Sequence, residues 1–171
     1  HFIPLPSETS FDQPVHTFGG KIHFFIGIDK ARSQYKGTDI MLRALEDVVG
    51  RHADECDITK AESLPYAEYE KAMDGCDVML DQLYSYTPSM NSLLAMSKGI
   101  VVVGGGEPEN YDILHEQELR PIVNVEPNYE SVCHQLEWLI EQKKTVVNRL
   151  KEESIAYVRK HHDYRDVAAK Y

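Results

Sequence analysis

Apolar residues fall along this chain in two patterns. Short, nearly unbroken runs stand at 21–28 (KIHFFIGI), 77–83 (DVMLDQL), 99–103 (GIVVV) and 120–125 (RPIVNV), with a weaker one at 56–62. Such runs mark strands buried on both faces of a parallel sheet. Between them the apolar spacing turns helical. Met41, Leu45, Val48 and Val49 predict a helix over about 37–49, and Tyr66, Tyr69 and Met73 predict the inward face of one that Pro65 opens. Thr87 suits an N-cap, Pro88 the first helical position and Gly99 the stop, which places a helix between the second and third of these strong runs. Asn128 caps a helix carrying Val132, Leu136, Leu139 and Ile140 on one face, and a last helix runs to about His161. Five strands alternating with helices predict an α/β fold. It is a Rossmann-like, doubly wound parallel sheet in three α/β/α layers.

Residues 1–20 break both patterns. They carry prolines, two adjacent glycines and no period, and are expected to be a linker or strap from a preceding domain. The α/β domain is then 21–171. The chain begins at His1 rather than Met, which is expected if an N-terminal domain is missing from it.

Composition narrows the function classes. A length of 171 residues suits one domain, and no apolar run approaches a membrane span. The net charge of −10 argues against nucleic-acid binding and requires any phosphate ligand to find a local positive pocket. Cys56, Cys76 and Cys133 are odd in number and form no CxxC pair, as expected of reduced thiols in a cytoplasmic protein.

Candidate chemistry gathers where strands end and helices begin, the edge at which doubly wound sheets bind ligands. After the first strand, Gly27 permits close backbone approach, and Lys30, Arg32 and Lys36 follow in a polar loop. After the strand at 77–83 come Asp81, Gln82, Ser85, Tyr86, Thr87, Ser89 and Asn91, rich in hydroxyls and amides. Cations beside a capped helix start predict a diphosphate pocket. The connection at 61–65 lies on the same edge, where a base ring would rest on backbone groups. Gly104, Gly105 and Gly106 match neither GxGxxG nor a P-loop. A flexible turn and a close approach to sugar or phosphate, with Glu107 and Glu109 nearby, both stay open. His161, His162 and Asp163 are adjacent, so their side chains diverge by about 100° on a helix and predict no metal site.

Two segments carry a family resemblance. GIDKARSQYKGTDIMLRAL resembles the segment after the first strand in the C-terminal domain of GT-B glycosyltransferases of the glycogen-synthase-like retaining group. DVMLDQLYSYTPSMNSLLAMSKGIVVV resembles the same family's strand–loop–helix segment. The resemblance, over about residues 21–171, implies a donor-binding half of a GT-B enzyme. By it, Arg32 and Lys36, with Gly37 beside them, hold the diphosphate of a nucleotide sugar and act in catalysis. Gly27, Asp81, Gln82, Ser85, Tyr86, Thr87, Ser89 and Asn91 surround diphosphate and sugar. It implies no metal and no cofactor beyond the nucleotide sugar as substrate. The acceptor, a saccharide or lipid, would bind on the missing N-terminal domain, through which any attachment to a membrane surface would also come. This fragment alone would turn nothing over. The family's two glutamates, eight positions apart, fall here on Tyr86 and Leu94. A non-hydrolysing nucleotide-sugar epimerase would use the same clamp. A receiver-like signalling domain would instead phosphorylate Asp81.

Overall fold

A computed structural model describes residues 18–169. The strap expected over 1–20 therefore lies largely outside the described residues. At its end, Phe18 is buried and its amide donates to Asn148 Oδ1 at 2.9 Å, so this residue belongs to the core.

The strands are β1 (Ile22–Ile28), β2 (Cys56–Glu62), β3 (Val78–Leu80) and β4 (Val101–Val103), all parallel in the order β2-β1-β3-β4. Crossovers run through α1 (Ser33–Lys36) with α2 (Thr38–Arg51), through α3 (Tyr66–Ala72) and through α4 (Met90–Ser97). Beyond β4 lie α5 (Pro108–Leu114), α6 (Tyr129–Glu141), a π-helical turn (Lys143–Val147), α7 (Asn148–His162) and α8 (Tyr164–Ala168). The chain adds β2 on one side of β1 and β3 on the other, so the switch point lies between β1 and β3.

Period-two alternation sends each strand's side chains to two separate cores. Phe24, Ile26, Val78, Leu80, Val101 and Val103 face α2 and α6; Phe25, Met79 and Val102 face α4, α5 and α7. The helical faces match the sequence pattern. Met41, Leu45 and Val48 are buried on α2, and Val132, Leu136, Leu139 and Ile140 on α6. Fully burying an aliphatic or aromatic side chain contributes about 1.5–3 kcal/mol, so two full cores carry the fold.

Three expectations need correction. The fifth strand, over 120–125, forms only one bridge, Val123 to Val103. Pro121 has no N–H to offer a ladder, and the segment is held instead by Val123 N–H to the Val102 carbonyl and Gly104 N–H to the Val123 carbonyl, both 2.9 Å. Tyr66 is 65% exposed rather than inward, because α3 is a short helix with no buried residue of its own. The N-cap of α4 is Ser89, not Thr87. The Ser89 hydroxyl accepts from the Ser92 amide at 3.2 Å, while the Thr87 carbonyl is taken up in the preceding loop.

At the amino end of the sheet, Asp77 and Lys151 form an ion pair at 2.5 Å, each side chain 1% exposed. Asp77 also accepts from the His23 amide at 2.9 Å. This pair ties α7 to the edge opposite the candidate site.

Candidate functional site

A cleft of about 420 Å³ opens at the carboxyl ends of β2, β1 and β3, over the switch point. Parallel strands direct their carboxyl ends and the following helix starts to one edge, so the topology alone makes this hollow. On the β1 side lie Gly27, Ile28 and Asp29; on the β2 side lie Ala61, Ser63 and Leu64. Ser63 sits at φ 48°, a left-handed conformation unusual for a residue with a side chain. Its amide donates to the Ile28 carbonyl at 2.9 Å, which carries the β1–β2 ladder one residue past β2.

On the β3 side, Asp81 is 4% exposed. Its carboxylate accepts from the Ser89 amide at 3.1 Å, from the Ser89 hydroxyl at 2.9 Å and from the Ser92 hydroxyl. Both oxygens are thus engaged in fixing the start of α4. A receiver-like role, in which Asp81 would attack a phosphoryl group, does not fit a carboxylate held this way. The amides of Met90 and Asn91 stand in the first turn, where a helix has no internal acceptor to offer.

The structure brings Gly27, Lys36, Asp81 and Asn91 to the cleft wall. Lys36 is drawn to the β3 side because its carbonyl accepts from the Leu83 amide at 2.8 Å. Gly37 stands behind it at φ 73°, where a methyl group would lie 2.8 Å from Leu83 Cβ. That close approach, rather than a ligand, accounts for this glycine. Arg32 does not line the cleft; its side chain is 69% exposed and its Nε lies 3.9 Å from Asp29 Oδ2. Lys30 pairs with Glu62 at 2.8 Å.

Gln82, Ser85 and Thr87 form a loop that bonds to itself. The Ser85 hydroxyl donates to the Thr87 carbonyl at 2.9 Å, and Gln82 Nε2 reaches the same oxygen at 3.5 Å. Tyr86 is 68% exposed. Leu94, the other place where the resembling family carries a glutamate, is buried in the second core. The glycine triplet also packs on protein. A methyl group on Gly104 would lie 2.4 Å from the Gln82 carbonyl oxygen, and one on Gly105 2.8 Å from that of Thr87. Gly104 and Gly105 thus mark a close approach of the loop after β4 to the loop after β3, while a methyl group on Gly106 would lie 2.8 Å from Ile122 Cβ.

Sequence reasoning missed Asp29 and Tyr69 in the cleft wall. Tyr69 had the spacing of a core residue and is indeed partly buried, with its ring edge-on to Phe25 at 5.2 Å. Burial and then the Asp81 charge push its phenol well above the ordinary range, so it stays protonated. No period in the sequence separates a tyrosine inside a core from one whose tip ends in a cleft.

No protein-family model matches the chain, and no curated protein matches it. Solved structures do. A TarM mutant from S. aureus, in complex with fondaparinux, alpha-GlcNAc-glycerol and UDP, matches 95% of this chain and 37% of its own length, with TM-score 0.69 and 11% identity. Alr3699/HepE from Anabaena, in complex with UDP, matches 88% of this chain and 47% of its own, with TM-score 0.60 and 12% identity. The C-terminal domain of a glycosyl transferase group 1 family protein, LpcC from Francisella tularensis, matches 93% of this chain and 95% of its own, with TM-score 0.64 and 14% identity. The fold is that of a GT-B glycosyltransferase C-terminal domain. The chain spans under half the length of the first two relatives. Among the described residues no helix is long and apolar enough to cross a membrane.

Proposed function

We propose that this chain is the nucleotide-sugar-binding domain of a glycosyltransferase and holds the donor at the cleft over the switch point. One observation carries the reading: Lys36 and Asn91, from two different crossovers, border one hollow at the start of α4. There a diphosphate would meet the Lys36 ammonium and the first-turn amides of α4. The base would lie toward Leu64 and Tyr66, at the end of β2.

In glycosyl transfer, the bond between the anomeric carbon and the diphosphate oxygen breaks and its electron pair stays on the diphosphate. Lys36 and the α4 amides would offset that growing charge. The acceptor hydroxyl forms the new bond and loses its proton. A preceding domain of the same protein would present that acceptor, a saccharide or lipid, and closure of the two halves would complete the site. The reaction needs no metal and no cofactor on this reading, and a cytoplasmic location suits a soluble nucleotide sugar.

Titration of the chain with UDP, GDP and ADP tests this, beside Lys36→Ala and Arg32→Ala. An ammonium in a half-enclosed cleft contributes about 1.5–3 kcal/mol to a phosphate contact, so Lys36→Ala is expected to cost at least tenfold in affinity. Arg32, exposed and screened, is expected to cost less than about fivefold. The absence of any nucleotide binding, or binding unaffected by Lys36→Ala, overturns the assignment.

A further inference from the structure

Tyr69 occupies a place that no hydrogen bond among the described residues explains. A methyl group built on Gly27 would meet its Cε2 and Oη at 2.5 Å, so the tip of the ring lies directly on the backbone of β1. The edge-on contact with Phe25 fixes the ring plane. The side chain lines the cleft, and among the described residues its hydroxyl makes no hydrogen bond. A rigid phenol that ends in a ligand-sized hollow, with a proton to donate and no acceptor, is a recognition group awaiting its partner.

Strand order says which part of a ligand it meets. The cleft spans β2, β1 and β3, two strand spacings or roughly 10 Å. Lys36 and Asn91 stand at the β3 end, and Leu64 and Tyr66 at the β2 end. Tyr69 sits on β1, between them. A nucleoside diphosphate with its phosphates at one end and its base at the other lays its ribose across the middle. We infer that Tyr69 is a specificity-determining residue whose hydroxyl hydrogen-bonds a ribose hydroxyl of the bound nucleotide. This rests on the nucleotide reading above and adds to it the group that recognises the sugar of the nucleoside.

The test uses the 171-residue chain and Tyr69→Phe, which removes one oxygen and keeps the ring packing. Calorimetric titration measures the nucleoside diphosphate that wild type binds most tightly among UDP, GDP and ADP. It also measures the 2′-deoxy and 3′-deoxy forms of that nucleotide and inorganic pyrophosphate. Tyr69→Phe is expected to weaken the nucleotide by roughly tenfold, the worth of one hydrogen bond in a sheltered site, and to leave pyrophosphate unchanged. One deoxy nucleotide should lose the same factor on wild type and nothing further on Tyr69→Phe. Equal nucleotide affinity in the two proteins overturns the inference while the nucleotide reading stands. Equal loss of nucleotide and pyrophosphate overturns it too, because the phenol would then support the phosphate end. Deoxy penalties that persist in full on Tyr69→Phe also overturn it. Wild type that binds pyrophosphate but no nucleotide ends both readings.

Discussion

Truncating Asp81 to alanine asks whether one buried carboxylate holds α4 at the cleft. Three donors converge on it: the Ser89 amide, the Ser89 hydroxyl and the Ser92 hydroxyl. Ser89 is partly exposed and can turn to water when the carboxylate is gone. Ser92, 0% exposed, cannot, and keeps only a long contact of 3.4 Å with the Ser89 hydroxyl. A buried donor left without a partner costs about 1–3 kcal/mol, and loosening the Ser89 cap adds roughly 1 kcal/mol more. Asp81→Ala should therefore lose about 2–4 kcal/mol, a fall in melting temperature of about 10 °C for a domain of this size. Equilibrium urea unfolding measures it, with Ser92→Ala and the double variant completing a cycle. The double variant removes the stranded hydroxyl along with its acceptor. It should regain at least about 1 kcal/mol over the sum of the single losses. A loss below about 1 kcal/mol for Asp81→Ala, or strict additivity, would refute the account of Asp81 as the latch of α4.

Other outcomes follow from separate features. Lys151→Met removes the ammonium that meets Asp77 at 2.5 Å in a dry site, and is expected to cost about 3–5 kcal/mol in a urea melt, although both residues lie at the edge opposite the cleft. Gly104→Ala forces a side chain into φ 98° and against the Gln82 carbonyl, so the variant should melt well below wild type, by about 2 kcal/mol or more. For Glu116, burial acts to raise the carboxyl, but Lys160 at 2.7 Å, the Leu119 and Glu118 amides and His161 outweigh it and hold it well below the usual carboxylate range. A depressed folded value means the stabilisation is present above the unfolded glutamate value near 4.3 and fades as pH falls below it. Glu116→Gln should thus be less stable than wild type at pH 7, and the gap should narrow in melts toward pH 3.

The layer pattern of this fold was legible in the residues because burial on both faces of a parallel sheet leaves continuous apolar runs. Val101–Val103 and Val78–Leu80 can satisfy that pattern in few other ways. Helix faces with one-sided spacing, such as Val132, Leu136 and Leu139 on α6, were equally plain. The edge of the sheet that carries the site was legible too, since topology fixes which ends of strands face a ligand. What each polar residue does there was not. Asp81 looks like a ligand contact in the sequence and is consumed by Ser89 and Ser92. Arg32 and Lys36 lie four positions apart and look like one clamp, yet only Lys36 borders the cleft. Tyr69 has the spacing of the core and ends in the hollow. Sequence period records whether a position is buried, because water exclusion acts on each element face as a whole. Which donor meets which acceptor depends on atoms brought together from distant parts of the chain, and only the packed structure decides that.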